Sequence, residues 1–571
     1  MQTVRERARS MKTVARGVSP GRPRAGVDGA PVPAGAMTGS PGPRAFLPVL
    51  VALLSLTTFA FAQSLYQAVA GNPEFVVLNQ ITHGDLWLIV ACFNLLPAVV
   101  LALLWLALAR RAAAAAGRFR SVSFLLLLTP FLLELHKRYI SPLLLFHHNT
   151  ALVLVPLAVA AWLVFCYRAE FERFLLVLSP VIVIFPGLFL WHAWKEVPAM
   201  AAAPASSIAD FAAADTGKPH PPIFILVLDE FTRPALLDGN GNIDASRFPH
   251  FAELGRQSTW FANATANAEY TTRSIPVIVT GNFPHGNDAS DAAYPDNLFR
   301  LLAPEYSVTI HEVVTRFCAT AEYRCPDAVR IQQRSYLLKA VARLYLLRIA
   351  PKSVVMGLQA EDLREEQRRF QEFLDEITPA PGSRPPLQFM HLELPHAPYM
   401  LAAEGSIHEQ SPGGFDPAFA GDTSLLEHLR HSYELQVQFV DGELGRFIDR
   451  LKQAGLYGGA LIVIASDHGV SWKPEAPGRV LRRANADMIL PVPLFIKLPG
   501  QSAGRVSMQD AQSIDLAPTI AAAAGVRVPW QVAGHDLFAP GGAPRQKVMI
   551  DASGKVFAFP PDFAESGQTA R

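Results

Sequence analysis

Acidic and imidazole side chains follow two apolar runs that have the composition of buried strands. The runs are 223–228 and 460–465. The side chains that follow them are Asp229 and Glu230 after the first run and Asp467 and His468 after the second. Ligand sites in open α/β sheets lie at the carboxyl ends of strands, and carboxylates with an imidazole are suitable ligands for a divalent cation. Taken singly, each pair also fits a helix N-cap or a turn.

Further apolar runs and a helical pattern indicate the elements that position these residues. The stretches 387–392 and 493–498, like the two above, are continuous apolar runs typical of central strands in a parallel sheet. Between them, Glu434–Gln453 spaces its apolar residues as a helix does. Strands that alternate with helices predict an α/β sandwich with a mostly parallel central sheet.

Ordered motifs across 223–540 resemble the sulfatase-like branch of the alkaline phosphatase superfamily. The motifs are SDHG at 466–469, VDGELGRFIDRLKQAGLY at 440–457, VPLFIKLPG at 492–500, IDLAPTIAAAAGV at 514–526 and GHDLF at 534–538. The resemblance implies a sulfatase-like catalytic domain over 223–556. The segment LDEFTR at 228–233 is most similar to the membrane phosphoethanolamine and phosphoglycerol transferases.

The resemblance also implies a metal centre and a nucleophile. The residues that match the metal ligands are Asp229, Glu230, Asp467 and His468. In the transferases the nucleophile is a threonine in a Thr-x-x-Ser-x-Pro segment, and Thr271 matches it, with Thr272 as the alternative. Thr271 is then both nucleophile and metal ligand. A helix that begins near Thr271 would offer free N–H groups to a phosphoryl or sulfuryl group, while an N-cap role is the alternative reading.

The identity of Thr271 bears on the reaction. Sulfatases oxidise a cysteine or serine to formylglycine, and threonine cannot form that aldehyde. In addition, Arg273 precedes Ser274 instead of following it. Both features favour a phosphothreonine intermediate over sulfate-ester hydrolysis. Hydrolysis of a phosphate or sulfate ester with water as acceptor is the alternative, and a non-catalytic binding protein with this fold is the third reading.

Other residues are candidates for contact with the substrate. His396, within HLELPHAPY, matches a transferase histidine near the metal and the substrate, and is a candidate acid or ligand of a second metal. His391 is interpreted as structural. A further histidine of the transferases has no counterpart in 470–490, and Arg273 and Lys473 are the candidate substrate contacts. The basic residues of 470–490 are Lys473, Arg479, Arg482 and Arg483.

The metal is predicted from the ligand types. Calcium-dependent sulfatases usually carry asparagine where this chain has His468. An imidazole shifts the preference toward zinc, with manganese next and calcium third.

The composition points to a membrane part and a soluble part. Half of the 571 residues are apolar and 17% are charged, a mixture that fits neither a soluble protein nor a pure membrane bundle. The apolar runs are Phe46–Ala62, Leu86–Ala109, Ser121–Leu135, Leu152–Phe165 and Phe174–Trp194. They predict a transmembrane anchor of about five helices over 45–197. The third run, which holds Pro130 and Glu134, is alternatively re-entrant, and the first is alternatively a cleaved signal peptide.

Loop charges predict the orientation of this anchor. The tail 1–44 is rich in Lys and Arg, and 63–85 has none, so the tail is predicted to be disordered and cytoplasmic. The catalytic domain is then extracytoplasmic in a multi-pass protein of a bacterial-type inner membrane, after a linker at 198–222 and before a tail at 557–571. Cys318 and Cys325 are predicted to form a disulfide in that oxidising compartment, with free thiols as the alternative.

The predicted partners follow from this location and from the charge. Membrane lipids surround the anchor, and the substrate is a phospholipid head group or an envelope glycan. The net charge of +1 implies no general attraction to nucleic acid.

Overall fold

The computed structural model describes residues 43–563 with short gaps. The residues outside it within this span are 73–74, 77–78, 80, 138–153, 198–219, 287, 319–322, 328–333, 380–381, 383, 409–420, 542–543 and 552. The predicted N-terminal tail, apart from its last two residues, and most of the predicted linker therefore lie outside the described residues.

The N-terminal part is helical. Its helices are α1 Pro43–Leu56, α2 Gln63–Ala70, α3 His83–Val90, α4 Leu96–Ala109, α5 Ala113–Leu135, α6 Leu154–Cys166, α7 Arg168–Val177 and α8 Val181–Glu196. Short π-helical turns join α1 to α2 and α3 to α4. Within the described residues, three helices are long and apolar enough to cross a membrane: Phe46–Ala70, His83–Ala109 and Ala113–Leu135. They fit a transmembrane bundle.

The last two predicted crossings are not straight spans. Helices α6 and α7 meet at an angle of 96° and count together as at most one broken span. The run Phe174–Trp194, predicted as one crossing, is interrupted by a turn at Leu178–Pro180. Proline lacks an N–H and disfavours helix at the residue before it, so α8 begins only at Val181. At about 1.5 Å per residue its 16 residues fall short of the ~30 Å hydrocarbon core.

The C-terminal part alternates strands and helices. Its strands are β1 Ile223–Asp229, β2 Thr259–Phe261, β3 Ala264–Thr265, β4 Ser307–His311, β5 Pro386–Pro395, β6 Leu461–Ser466, β7 Leu494–Lys497, β8 Arg505–Ser507, β9 Ala511–Gln512, β10 Lys547–Ile550 and β11 Val556–Phe559. Its helices are α9 Pro249–Gly255, α10 Thr271–Thr280, α11 Leu298–Leu302, α12 Arg334–Ile349, α13 Lys352–Asp375, α14 Thr423–Gln453, α15 Ala486–Ile489 and α16 Leu516–Ala523.

One seven-stranded sheet organises this part, in the order β4-β5-β1-β6-β7-β2-β8. Strands β4, β5, β1 and β6 are parallel, as predicted, whereas β7 runs antiparallel to both of its neighbours. The domain is therefore of the α/β class, and its sheet has a mostly parallel centre. Strand β11 pairs with β10 and ends three residues beyond the predicted boundary of the domain at 556.

Helices cover both faces of the sheet, which explains the continuous apolar runs. Along β1, Phe224, Leu226 and Leu228 belong to one buried cluster, together with side chains of α9, α13 and α14. Ile223, Ile225 and Val227 belong to a second cluster, together with α10, α11 and α16. Because successive side chains of a strand point to opposite faces, both faces need apolar residues, and only the strand ends are left for polar ones.

The four cysteines divide as the sequence indicates. Cys318 and Cys325 are joined by a disulfide in the segment after β4. Cys92 and Cys166, in the helical part, are free.

Candidate metal centre and nucleophile

Two neighbouring parallel strands bring three of the predicted ligands together. Leu228 of β1 lies opposite Ser466 of β6, so the residues that follow each strand share one edge of the sheet. Asp229, Asp467 and His468 are buried and place one ligand atom each within 4.8 Å of the others. The Nε2 of His468 lies 3.6 Å from Oδ1 of Asp229 and 3.4 Å from Oδ2 of Asp467.

Unsatisfied atoms in this cluster show that it fits a cation. The Oδ1 of Asp229 and the Nε2 of His468 are buried without a hydrogen-bond partner among the described residues. The other ring nitrogen of His468 lies 3.2 Å from the carbonyl oxygen of Gly469, which leaves Nε2 as the free ligand atom. Leaving a buried polar atom unpaired costs about 1–3 kcal/mol, and a divalent ion held by two carboxylates and an imidazole removes that cost.

Burial and charge change the titration of Asp229. Burial and the nearby Asp467 carboxylate raise the pKa of Asp229 to about 6, against the opposing effect of the neighbouring histidines. Two buried carboxylates repel each other when both are ionised. A cation bound between them would offset that repulsion.

Glu230, predicted as a ligand, lies outside this cluster of three. Its backbone is left-handed, with φ of 62°. Its N–H donates to Oδ1 of Asp467 at 3.0 Å, and its carboxylate accepts a hydrogen bond from Tyr399 at 3.1 Å. The carbonyl oxygen of Glu230 accepts from Tyr433. The two tyrosines therefore hold the turn that follows β1.

Thr271 is the first residue of α10 and points its hydroxyl at the cluster. The Oγ1 of Thr271 donates to Oδ2 of Asp467 at 2.8 Å, and the side chain is buried. The N-cap position belongs to Tyr270, which makes no side-chain cap, so the N-cap reading of the threonine pair does not apply. Thr272 is only half buried. The positive end of the helix dipole lies at Thr271 and favours an anionic group there.

The predicted substrate contacts divide into two groups. The Nε2 of His396 lies 3.4 Å from Nη1 of Arg479, and the guanidinium of Arg479 stacks over Tyr270 at 4.4 Å. His396 is close enough to Asp229 to lower its pKa. Arg479, one of the basic residues of 470–490, therefore lies next to the start of α10.

The other two predicted substrate contacts are Lys473, which is bound by neighbouring residues, and Arg273, which is buried. The ammonium of Lys473 binds the carboxylate of Asp487 at 2.7 and 2.8 Å and the carbonyl oxygen of Ala484. Arg273 is buried in α10, two residues after Thr271.

His391, interpreted from the sequence as structural, lies between a second carboxylate and the cluster. Its Nδ1 lies 3.2 Å from Oε2 of Glu312, and its Nε2 lies 3.9 Å from Oδ2 of Asp229. Burial alone would lower the pKa of His391, but the charge of Glu312 and a hydrogen bond to it outweigh burial and raise that pKa to about 10. Sequence reasoning missed Glu312, because it follows β4 without any motif; only the pairing of β4 with β5 brings it to His391.

Comparison with known proteins places this geometry in context. A family model described as Sulfatase matches residues 221–526. Human iduronate 2-sulfatase is 29% identical over 126 residues, covering 18% of this chain and 22% of that protein. Arylsulfatase K of Xenopus laevis is 29% identical over 113 residues, covering 20% and 21%. The chain thus matches about a fifth of the length of these curated relatives.

Solved structures with a similar arrangement include two hydrolases. A phosphonate monoester hydrolase from Silicibacter pomeroyi shares 18% identity over 58% of this chain and 79% of its own, with a TM-score of 0.42. A putative sulfatase from Bacteroides thetaiotaomicron shares 16% identity over 58% and 78%, with a TM-score of 0.41.

Proposed function

The chain belongs to the sulfatase family, and we propose that it is a membrane-anchored, metal-dependent enzyme that cleaves phosphoesters through Thr271. In this proposal it transfers a phospholipid head group to an acceptor in the cell envelope. The observation that carries the proposal is the 2.8 Å hydrogen bond from the Thr271 hydroxyl to Asp467, at the start of a helix and beside the cluster of Asp229, Asp467 and His468.

The side chains at the site have separate roles in the proposed reaction. The Oγ1 of Thr271 forms a bond to phosphorus while the bond from phosphorus to the leaving oxygen breaks. Asp467 orients the Thr271 hydroxyl and accepts its proton as the bond from Oγ1 to phosphorus forms. His396 supplies the proton that the leaving oxygen needs, and Arg479 pairs with the anionic oxygens of the ester. Asp229, Asp467 and His468 would hold a divalent ion, for which we propose zinc; it would lower the pKa of the hydroxyl and neutralise charge on the ester.

The nucleophile type supports phosphorus chemistry over sulfate chemistry. Threonine cannot supply the formylglycine aldehyde that the resemblance links with sulfate esters. A phosphothreonine ester, by contrast, needs only the hydroxyl that the structure places at the cluster. The second step then moves the phosphoryl group from Thr271 to an acceptor hydroxyl.

Hydrolysis is the second candidate function. The similar proteins named above are hydrolases by name, which favours water as the acceptor in the second step. The same site performs the first step in both cases, so only the acceptor differs.

The membrane location of the proposed reaction rests on the helical part. Three long apolar helices precede the catalytic domain, and the sequence pattern of loop charges favours an extracytoplasmic domain. Head groups of the adjacent leaflet would then be the nearest esters at high local concentration.

A mass measurement tests the nucleophile. Purified full-length protein in detergent is incubated with zinc and phospholipid donors, and its intact mass is measured. We expect a covalent adduct on the wild type that persists in Thr272→Ala and disappears in Thr271→Ala. An adduct of unchanged yield in Thr271→Ala would overturn the proposal.

The acceptor is tested separately with labelled water. If the released product carries ¹⁸O from H₂¹⁸O at the rate of donor cleavage, the enzyme is a hydrolase. If cleavage depends on an added acceptor and releases no labelled product, it is a transferase.

A further inference from the structure

Helix α12 of the catalytic part packs against the membrane part. It is inserted between β4 and β5, and its buried residues Leu337, Val341 and Tyr345 join one cluster with residues of the anchor. The anchor residues in that cluster include Leu65, Tyr66, Val69, Leu86, Ile89 and Phe189. The ring of Tyr345 lies 4.7 Å from that of Phe61. One face of α12 is thus fully used by the anchor.

Polar contacts fix α12 along the ends of the spans. Arg348 lies 3.8 Å from the carboxylate of Glu134 and donates to the carbonyl oxygen of Ser64 at 3.1 Å. Lys137 donates to the carbonyl oxygen of Leu347 at 2.9 Å. Ser64 lies near the end of the first span, and Glu134 and Lys137 lie at the end of the third. Because these contacts lie at or near the ends of two candidate spans, a bilayer crossed by those spans would place α12 at the level of its surface.

The opposite face of α12 is open and has a mixed character. Tyr336 is 43% exposed and Leu346 is 39% exposed, and Lys339 between them is also exposed. Of the basic side chains of α12, Lys339 lies on this face, whereas Arg343 pairs with Asp362 of α13 at 2.7 Å and Arg348 lies against the anchor; α12 has no acidic side chain. Apolar and aromatic side chains mixed with basic ones are typical of helices that lie in a membrane interface.

Exposed tryptophans mark the same level on the anchor. Trp87 is near the start of the second span, and Trp191 and Trp194 are near the end of α8; all three are exposed. Tryptophan and tyrosine are enriched where a bilayer meets water. Tyr336 extends this aromatic belt onto the catalytic part of the chain.

We propose that the open face of α12 lies in the head-group layer of the adjacent leaflet and binds anionic phospholipids. Tyr336 and Leu346 enter the boundary between head groups and acyl chains, and Lys339 pairs with lipid phosphate. The lipid surface is the occupant that fits, because Tyr336, Leu346 and Lys339 combine apolar and basic contacts on a helix whose other face packs against the apolar anchor. This contact holds the catalytic part at a fixed height above the bilayer, whichever ester the site cleaves.

Spin labels on the full-length protein test this placement. Cys92→Ser and Cys166→Ser remove the free thiols, and Leu346→Cys then carries the label in nanodiscs that hold one protein each. Val183→Cys, on the anchor, is the lipid reference, and Val556→Cys, on β11, is the water reference; both native residues are strongly exposed. Collision with oxygen reports lipid contact, and collision with a water-soluble nickel complex reports solvent.

We expect the label at 346 to collide more often with oxygen than with the nickel complex. The ratio of the two collision rates should lie between those of the labels at 183 and 556. This ratio should rise when phosphatidylglycerol replaces part of the phosphatidylcholine. Lys339→Gln should abolish that lipid dependence. A label as open to nickel as the one at 556 would overturn the proposal. A label shielded from both reagents would indicate that protein covers this face, and it would also overturn the proposal. The same holds if the ratio of collision rates is equal in both lipid mixtures. None of these readings depends on catalysis, so they separate this inference from the proposed function.

Discussion

The carboxylate of Asp467 links Thr271, the proposed nucleophile, to the candidate metal cluster. Its Oδ1 accepts the N–H groups of Glu230 and His468, and its Oδ2 accepts the hydroxyl of Thr271. Both oxygens are therefore fixed in direction by neighbours on β1, β6 and α10. A carboxylate held in this way can orient a hydroxyl and hold a cation without reorganising during the reaction.

Asp467→Asn should show which properties of the site depend on the negative charge of this side chain, because asparagine has nearly the same size and shape. The amide oxygen can still accept the two backbone N–H groups, so the fold should be retained, while the charge and the acceptor for Thr271 are lost. We expect zinc affinity to fall at least about 100-fold and the covalent adduct to disappear. Calorimetric titration with zinc measures the affinity, and Asp487→Asn, which alters only the partner of Lys473, is the control. Wild-type zinc affinity in Asp467→Asn would contradict the ligand assignment.

Arg479, which stacks over Tyr270 and lies 3.4 Å from His396, is the cation that the proposed function pairs with the charge of the ester. A charge-assisted hydrogen bond contributes about 1.5–3 kcal/mol, so Arg479→Gln should lower kcat/KM by roughly 10- to 100-fold. The matched control is Arg483→Gln, since Arg483 is exposed on the same stretch. Steady-state kinetics of donor cleavage measure kcat/KM for both variants. An equal loss of kcat/KM in the two variants would argue against a specific role for Arg479.

Glu312 gives the site a pH-dependent contribution to stability. Burial alone would raise its pKa, but the charge of His391 and hydrogen bonds from His391, Thr315 and Val314 outweigh burial and hold that pKa below its usual value. A lowered folded-state pKa means that the stabilisation is present above the unfolded pKa and is lost as pH falls through the folded one.

Unfolding of Glu312→Gln should reveal this contribution. We expect the variant to be less stable than the wild type by about 3 kcal/mol at neutral pH. The difference should shrink once the pH falls below about 4.5, because the wild type then takes up the proton. Urea unfolding in detergent, followed by tryptophan fluorescence at several pH values, measures it. A difference that stays constant down to pH 3 would contradict the assignment.

The sequence predicts some of these residues better than others. Asp229, Asp467 and His468 stand directly at strand ends, so the strand pattern alone brings them to one edge of the sheet. Thr271 depended on the family resemblance. Glu230 also follows a strand; its backbone there is left-handed and its carboxylate accepts a hydrogen bond from Tyr399, and its role as a ligand stays a prediction. Arg479 could not be chosen over Lys473, because the choice depends on how the loop after β6 folds.

At the scale of elements, the loop after α16 supports the C-terminal end of α10, the helix that begins at Thr271. Helix α10 ends at Gly281, a left-handed residue with φ of 70°, and the carbonyl oxygen of Gly281 accepts the N–H groups of Ala533 and Gly534. Gly534 belongs to the GHDLF motif. A Cβ at Gly534 would overlap the carbonyl of Ile514, whose carbon would lie only 2.7 Å away, so backbone would have to move.

Gly534→Ala should therefore destabilise the fold by about 1–3 kcal/mol and reduce the rate of adduct formation, because α10 loses its support. Gly458→Ala is the control, since a Cβ at Gly458 meets nothing within 4 Å. Thermal unfolding in detergent and adduct kinetics measure the two effects. Wild-type stability in Gly534→Ala would show that the loop adjusts freely.

Strand direction and helix breaks limited the prediction of elements. The apolar run of β7 looks like those of β1 and β6, yet β7 runs antiparallel to β6, because an apolar run carries no information about direction. Likewise, the composition of Phe174–Trp194 resembles one span, and the turn at Leu178–Pro180 depends on a single proline within it.

At the scale of the whole molecule, an ion pair joins the catalytic part to the anchor. Glu134 interrupts an apolar run of the sequence, and the nearest basic residues along the chain are Lys137 and Arg138. The structure supplies Arg348, more than two hundred residues away, at 3.8 Å from the Glu134 carboxylate. The Glu134 side chain is 19% exposed and that of Arg348 is 32% exposed, so water screens the pair only in part and a charge there still costs free energy without its partner.

Reversing the charge of Arg348 should weaken the packing of α12 against the anchor, and reversing both charges of the pair should restore that packing. Arg348→Glu places two carboxylates together, and we expect hydrogen exchange within 334–349 to become faster in detergent, consistent with a coupling of about 0.5–3 kcal/mol. The combination of Glu134→Arg with Arg348→Glu keeps opposite charges in the same place and should return the exchange rate toward that of the wild type. Arg364→Glu is the control for added negative charge, because Arg364 lies on α13 outside this ion pair. If the double variant exchanges as fast as Arg348→Glu alone, the docking of α12 does not depend on this pair, and the apolar contacts of Leu337, Val341 and Tyr345 hold it instead.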